Sequence, residues 1–453
     1  MPLLTIAEIY QNSQKLSQLE EVKVQGWVKS IRQSKKVSFI TLNDGSCLQN
    51  LQIVCLSRLA EETKNFNFGS CLTIKGKLIL TPERTQKIEL QAQKIEFVSP
   101  TEEDYPLQKQ AIPLEVVRNY PHLRAKTNYF LAVFRLRSQI SWAIHQFFQQ
   151  EGFYYIHTPL ITANDTEGAG ELFTATTRQD KQYEKDFFRK QAKLTVSGQL
   201  QAEALTQGLG KVYTFNPCFR AENSHTTRHL AEFWMIEPEM TFADLNDILN
   251  LAENLLKYVI KEIIKSNLSE LEYLEKYHQK ELISELKKIS NLDFPRLTYT
   301  ESLEILVKNK ENFVYNEIKW GIDLQSEHEK YLCQHFGNIP VFVINYPIEL
   351  KAFYMKNNPD RKTVACFDLL FPQVGEMIGG SLREDNYQIL IEKAQKIGLD
   401  IDNLSWYFDL RKYGYAPSGG FGLGLERLIM FLTGTENIRD VIPFPRYPQH
   451  LQY

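Results

Sequence analysis

Residues 215–240, FNPCFRAENSHTTRHLAEFWMIEPEM, hold the densest set of groups able to grip a phosphorylated ligand. Arg220 and Arg228 supply permanently charged, forked donors suited to phosphate oxygens, and His229 adds a third donor. Phe233 offers a flat face on which a purine can stack, with Glu222 placed to accept from an exocyclic amine. An isolated Arg-x-Glu in a charged hairpin loop would carry little weight, but the whole string reads as a nucleotide site. Further along, GGFGLGLERLIMFLTG at 419–434 is a glycine-rich run entering a helix that carries Arg427. Its small residues, Gly424 among them, let backbone approach a ligand closely. Neither GxxxxGK[ST] nor GxGxxG occurs, which favours an antiparallel-sheet nucleotide site over a P-loop or a Rossmann crevice.

These groups must be positioned by a chain of 453 residues, 43% hydrophobic and 24% charged, enough for two or three domains. The net charge of -3 excludes binding of a polyanion by overall field, so such a partner needs a local patch. Lys23, Lys29, Arg32, Lys35 and Lys36, with no acidic residue between Lys23 and Asn43, are the candidate. Six cysteines without CxxC or Cys/His spacing argue against structural zinc and a disulfide framework, and fit a reducing cytoplasm. No run is long enough to span a bilayer, and the N-terminus lacks the pattern of a signal peptide.

Five short alternating runs between Val22 and Val98, with a hairpin expected at Asn43-Asp44-Gly45, predict a small barrel of the OB type over 1–100. A polar, proline-bearing linker is expected at 101–127. The remaining 128–453 is read as an α+β domain, an antiparallel sheet flanked by helices. It opens on a helix whose apolar positions Val133, Leu136, Ile140, Ile144 and Phe147 recur at three and four, closed by Gly152. The Lys/Glu-rich helical stretch that follows is read as an insertion at about 245–330 with solvated faces.

The 215–240 string resembles the second signature of the class II aminoacyl-tRNA synthetases. The first signature matches GFYYIHTPLIT, with Pro159 at the position the family uses in its dimer interface, and the third matches the run that carries Arg427. With a barrel ahead of the catalytic domain the chain resembles subclass b, whose members charge tRNA with aspartate, asparagine or lysine. The resemblance implies ATP as substrate, Mg2+ as cofactor, a homodimer and a tRNA partner. It implies Arg220 and Arg427 as catalytic residues, with Glu222, Arg228, His229, Leu230, Phe233, Glu376 and Gly424 completing the nucleotide site. Asp368 and Glu376 correspond to the family's metal carboxylates, although here they stand eight residues apart and Gly379 replaces a frequent serine. Phe39 and Gln52, with Arg32, correspond to residues of the barrel that read the anticodon by stacking and edge contacts.

The amino-acid pocket points to asparagine, with tRNA(Asn) as partner, and leaves aspartate as the alternative. Aspartyl members carry a lysine where this chain has Ala202, and Glu203 follows it in SGQLQAEA. A carboxylate there is expected to accept from the substrate carboxamide and repel aspartate, since a carboxamide donates whereas a carboxylate only accepts. The string VGEMIGGSLRED resembles a family segment whose arginine contacts the substrate side chain, which implies that Arg383 donates to the carboxamide oxygen. The resemblance further implies that Glu171, in TEGAGELF, faces the α-ammonium with Gln199 in support, and that Ser197 and Arg220 complete the pocket.

Overall fold

The computed structural model describes residues 2–34, 36–84, 86–107, 112–164 and 171–453, so Lys35 and most of the TEGAGELF segment lie outside the described residues. Two compact units emerge, Met1–Arg135 and Leu136–Tyr453.

In the first unit, β1 (Val22–Gln33), β2 (Val37–Asn43), β3 (Leu51–Leu56), β4 (Cys71–Leu80) and β5 (Ile88–Ser99) close a barrel in the order β1-β2-β3-β5-β4. Alternation fixes which face is inside: Val22, Val24, Val28, Ile40, Leu42, Ile53 and Leu90 fill the interior. The expected hairpin is a longer connection. Asn43 ends β2, accepts from the Gly45 N–H, and donates to the carbonyls of Cys47 and Gln49, which organises the loop before β3. The basic patch is smaller than the sequence suggests. Lys23 pairs with Glu96 at 3.0 Å, and Lys29 donates to the Lys126 carbonyl, its ammonium pushed down to about 8 by burial. Arg32 and Phe39 face one another across β1 and β2 and both are exposed, whereas Gln52 donates to Glu89 at 3.1 Å.

The second unit is built on eight strands. In chain order they are β6 (Tyr154–Tyr155), then β10 (Lys211–Phe219), β11 (Glu232–Thr241), β12 (Arg296–Thr298), β13 (Val341–Ile344), β14 (Cys366–Phe371), β15 (Gly375–Leu382) and β16 (Ser418–Gly424). Between them β7 (Ile161–Thr162), β8 (Thr174–Ala175) and β9 (Ala192–Leu194) form a separate small sheet. The large sheet runs β12-β13-β14-β15-β16-β11-β10-β6 and is antiparallel except at its two ends, where β12–β13 and β10–β6 are parallel. The sheet is therefore antiparallel through its centre, as expected, and mixed only at its edges.

The Asn128–Gln150 helix forms as the spacing predicts, with Val133, Leu136, Ile140, Ile144 and Phe147 buried and Gly152 at φ +78° past its end. The 245–330 stretch is not a peripheral insertion. Its first helix, Leu245–Ser266, buries Ile248, Leu249, Leu255, Leu256 and Val259, while β12 within the stretch completes the sheet. Most of its charges lie on the outer helix face, Glu253 being buried, and the apolar stripe beneath them docks the helix.

Glycines in β15 and β16 are required by close packing at the sheet centre. A Cβ on Gly380 would lie 2.6 Å from the Phe367 ring, and one on Gly420 would collide with the Pro238 carbonyl and stand 2.5 Å from Glu239. Gly208, by contrast, has open space in the Gln199–Leu209 helix. Gly420→Ala is therefore expected to destabilise by about 1–3 kcal/mol. Gly208→Ala should stabilise by roughly 0.5–1 kcal/mol. Urea unfolding of both variants, monitored on the same signal, checks the opposite signs.

Candidate active site

Two adjoining cavities lie on one face of the large sheet and share Arg220, Met235, Glu376 and Gly422 in their walls. The first gathers most of the residues expected to hold a nucleotide: Glu222, Arg228, His229, Leu230, Phe233, Gly424 and Arg427 join the shared Arg220 and Glu376. The β10–β11 hairpin sets their geometry. Its register places Phe233 opposite Cys218, and the Arg220 guanidinium sits 5.5 Å above the Phe233 ring. Arg228 is tied by Ser326 and by the Gln373 carbonyl at 2.7 Å, and Arg427 donates to the Glu376 carbonyl at 2.7 Å. His229 accepts or shares hydrogen bonds through Nδ1 with Thr226 and Ser224; burial first, then Arg427, lowers its pKa, so it is uncharged near neutrality.

The second cavity is lined by Ser197, Gln199, Glu237, Lys351, Tyr354 and Arg383, together with Asp368 and Glu376. Arg383 is nearly wholly buried and grips Glu239 through Nε at 3.2 Å and through Nη2, with Nη1 donating to Ser381 at 2.7 Å. Glu239 is itself fully buried. Desolvation and the neighbouring Glu203 and Glu237 push its carboxyl up to about 7, against the pull of Arg383. Glu237 accepts from Ser197 Oγ, from the Gly198 N–H at 2.9 Å and from Thr214 Oγ1 at 2.9 Å.

One expectation fails here. Glu203 does not face the cavity and is not a surface carboxylate either: it is fully buried, and its oxygens accept from Gln199, Tyr407, Tyr415 and Arg411. A carboxylate with all its lone-pair directions engaged has none to offer a substrate amide. Glu171 is exposed, and its carbonyl accepts from the Ala221 N–H at 2.8 Å. Asp368 is brought to the cavity but does not stand alone, because both its oxygens accept from Lys351 Nζ, at 2.7 and 2.6 Å.

Sequence reasoning missed Glu237, Glu239, Lys351, Arg411 and Glu329. The first two had a readable signal: on a strand, residues two apart share a face, so Glu237 and Glu239 had to point with Phe233 and Met235 toward the site. Glu329, from the Ser326–His335 helix, accepts from the Glu376 N–H at 3.2 Å; burial, Glu376 and Asp368 push it up to about 7. Nothing in the local sequence marks it. Removing Lys351 tests the ion pair. Lys351→Met leaves Asp368 buried without a counter-charge and should cost about 3–5 kcal/mol in urea unfolding. Adding Asp368→Asn should recover most of that loss.

Comparison with known proteins places this geometry in a family. The model of tRNA synthetases class II (D, K and N) matches residues 113–448, and that of the OB-fold nucleic acid binding domain matches 22–98. An asparagine–tRNA ligase of Mycoplasma mycoides subsp. mycoides is 52% identical over 437 residues, covering 96% of this chain and 97% of that one. One from Alkaliphilus oremlandii is 48% identical with both chains fully covered. The crystal structure of asparaginyl-tRNA synthetase from Pyrococcus horikoshii, complexed with asparaginyl-adenylate, superposes with a TM-score of 0.85 at 32% identity, covering 95% and 96% of the two chains.

Proposed function

Because the chain belongs to the class II tRNA synthetases of the D, K and N group, we propose that it joins L-asparagine to tRNA(Asn) through an asparaginyl-adenylate, consuming ATP and releasing AMP and pyrophosphate. The observation that carries the choice of amino acid is the charge beneath the second cavity. Three buried carboxylates, Glu203, Glu237 and Glu239, share the region with two buried guanidinium groups, Arg383 and Arg411, so that even with Glu239 pushed up to about 7 these five groups carry no net positive charge. A neutral carboxamide enters such a place at little electrostatic cost. Aspartate would add a fourth carboxylate to a site whose existing ones already repel.

In the first half-reaction the asparagine α-carboxylate attacks the α-phosphorus in line. That group has a reference pKa of roughly 3.3–3.7 and is ionised near neutrality, so no side chain acts as base. Arg220 is the natural partner of the α-phosphate, because it stands in the wall common to both cavities, where the two substrates meet. Phe233 takes the adenine on one face and Arg427 covers the other, while Arg228, His229 and Arg427 hold the β- and γ-phosphates. The anchors on Arg228 and Arg427 fix their forks before the ligand arrives. Ser197, Gln199 and Arg383 surround the amino acid; Arg383 spends three of its five N–H groups on Glu239 and Ser381 and keeps two for the carboxamide oxygen.

Mg2+ belongs to the same proposal. Glu376 Oε1 and Asp368 Oδ1 converge beside Gly379, 2.9 and 3.6 Å from where a Cβ would lie. Among the described residues no group of three or more His, Cys, Asp or Glu is arranged to hold an ion. One or two carboxylates are what Mg2+ takes when phosphates supply the rest of its shell, so the pair fits. Glu376 would hold the ion, with Asp368, shared with Lys351, as the second carboxylate. When bound, the ion neutralises phosphate charge.

In the barrel, Phe39 with Arg32 and Gln52 would read the anticodon, and the exposure of Phe39, 40%, supplies the ring that an unstacked base needs. Among the described residues no helix is long and apolar enough to cross a membrane, and we place the enzyme in the cytoplasm. Tyr154, Tyr155 and Leu160, exposed in the stretch that contains Pro159, support a homodimer through that stretch.

Pyrophosphate exchange into ATP should depend on asparagine and not on aspartate, and exchange driven by aspartate alone would refute the reading. Arg220→Ala should lower that exchange at least ~100-fold while tRNA binding persists. Phe39→Ala should weaken tRNA(Asn) binding by about 10-fold and leave tRNA-independent exchange unchanged, as filter binding and exchange together would register.

A further inference from the structure

Gln199 is almost wholly buried in the wall of the second cavity, and its Oε1 has no hydrogen-bond partner. A buried, unsatisfied acceptor is costly and calls for an explanation. At its other terminus Nε2 donates to Glu203 Oε2 at 2.7 Å. The two residues stand four apart on the Gln199–Leu209 helix, one above the other on its buried face.

Glu203 in turn has no freedom. Tyr407 donates to Oε2 at 2.6 Å, and Tyr415 and Arg411 donate to Oε1. Arg411 is wholly buried and lies between two aromatic rings, its guanidinium 4.4 Å from the Tyr407 centroid and 4.3 Å from that of Tyr415. Its Nε donates to the Glu384 carbonyl at 2.9 Å. Burial first, then Glu203, raises both phenols, so both remain protonated donors at neutral pH. With four donors converging on one carboxylate, Gln199 can present only its NH2 to Glu203 and only its carbonyl oxygen to the cavity.

We infer that Glu203 never touches the amino acid: together with Arg411, Tyr407 and Tyr415 it is a positioning residue that locks the Gln199 carboxamide, making Gln199 Oε1 the acceptor for an N–H donor of the bound amino acid. The cavity wall carries donors in Arg220, Arg383 and Lys351 and charged acceptors in Glu237, Asp368 and Glu376, and Gln199 Oε1 adds to these a fixed neutral acceptor of the kind a donor-bearing amino acid requires. The identity of that amino acid as asparagine rests on the function proposed above.

The inference predicts that exchanging the two side chains preserves the site while changing either alone does not. In Glu203→Gln, which keeps the volume, the new carbonyl oxygen must stay against Arg411, so the new NH2 faces Gln199 and turns it over. Nε2 then points into the cavity. The KM for the amino acid in pyrophosphate exchange should rise at least 30-fold, with the KM for ATP within twofold of wild type. In Glu203→Gln with Gln199→Glu, the carboxylate at 199 accepts from the new amide and again offers an oxygen to the cavity, and the amino-acid KM should return to within fivefold of wild type. Thermal unfolding and circular dichroism on both variants identify loss of fold. A KM within threefold of wild type in Glu203→Gln overturns the inference, and so does a folded double variant no better than the single one. Each series is run with whichever amino acid the wild-type protein activates. Activation of aspartate alone would sink the asparagine reading, whereas a failed exchange of side chains would sink only the role given to Glu203.

Discussion

Burying Glu203, Glu237 and Glu239 within one small region is the constraint around which the second unit is organised. An ionised carboxylate deep in a protein persists only when cations and hydrogen-bond donors replace the water it lost. That requirement draws together segments far apart in the chain. Arg383, just past β15, must reach Glu239 on β11 across 144 residues, and Arg411 must reach Glu203 across 208. Ser197 and the Gly198 N–H, at the start of the Gln199–Leu209 helix, must meet Glu237. Removing any one partner would leave a buried charge exposed to its neighbours. The same network that ties helix, sheet and the 405–415 segment together thus also sets the potential in the amino-acid cavity.

The nucleotide end of the site obeys a different rule. There the arginines are held by neutral oxygens: Arg228 by Ser326 and the Gln373 carbonyl, Arg427 by the Glu376 carbonyl. Neutral anchors orient a guanidinium without cancelling its charge, which suits a triphosphate. Paired arginines orient without adding charge, which suits a carboxamide. Arg220 stands where the two regimes meet.

Much of this was legible in the sequence, and the failures share a cause. The barrel strands, the Asn128–Gln150 helix and the glycine-rich strand announce themselves through local periodicity, and Arg220, Phe233, Arg228 and Arg427 fall in strings whose spacing places them together. Glu203 was noticed but misassigned. Its spacing from Gln199 showed that the two share a helix face, but not that Arg411, Tyr407 and Tyr415 would occupy the other side of its carboxylate. The pairing of Asp368 with Lys351 and the arrival of Glu329 at Glu376 are likewise products of tertiary structure, with no local pattern to betray them. The 245–330 stretch was misjudged because charge on an outer helix face is more conspicuous in a sequence than the apolar stripe that docks the helix on the sheet.

With no net positive charge among its buried carboxylates and guanidinium groups, the amino-acid cavity selects a neutral side chain over a carboxylate. Calorimetric titration with two non-hydrolysable adenylate analogues, identical except for an asparaginyl or an aspartyl group, tests it without catalysis or tRNA. The asparaginyl analogue should bind at least about 100-fold more tightly. Equal affinity, or a preference for the aspartyl analogue, would contradict it.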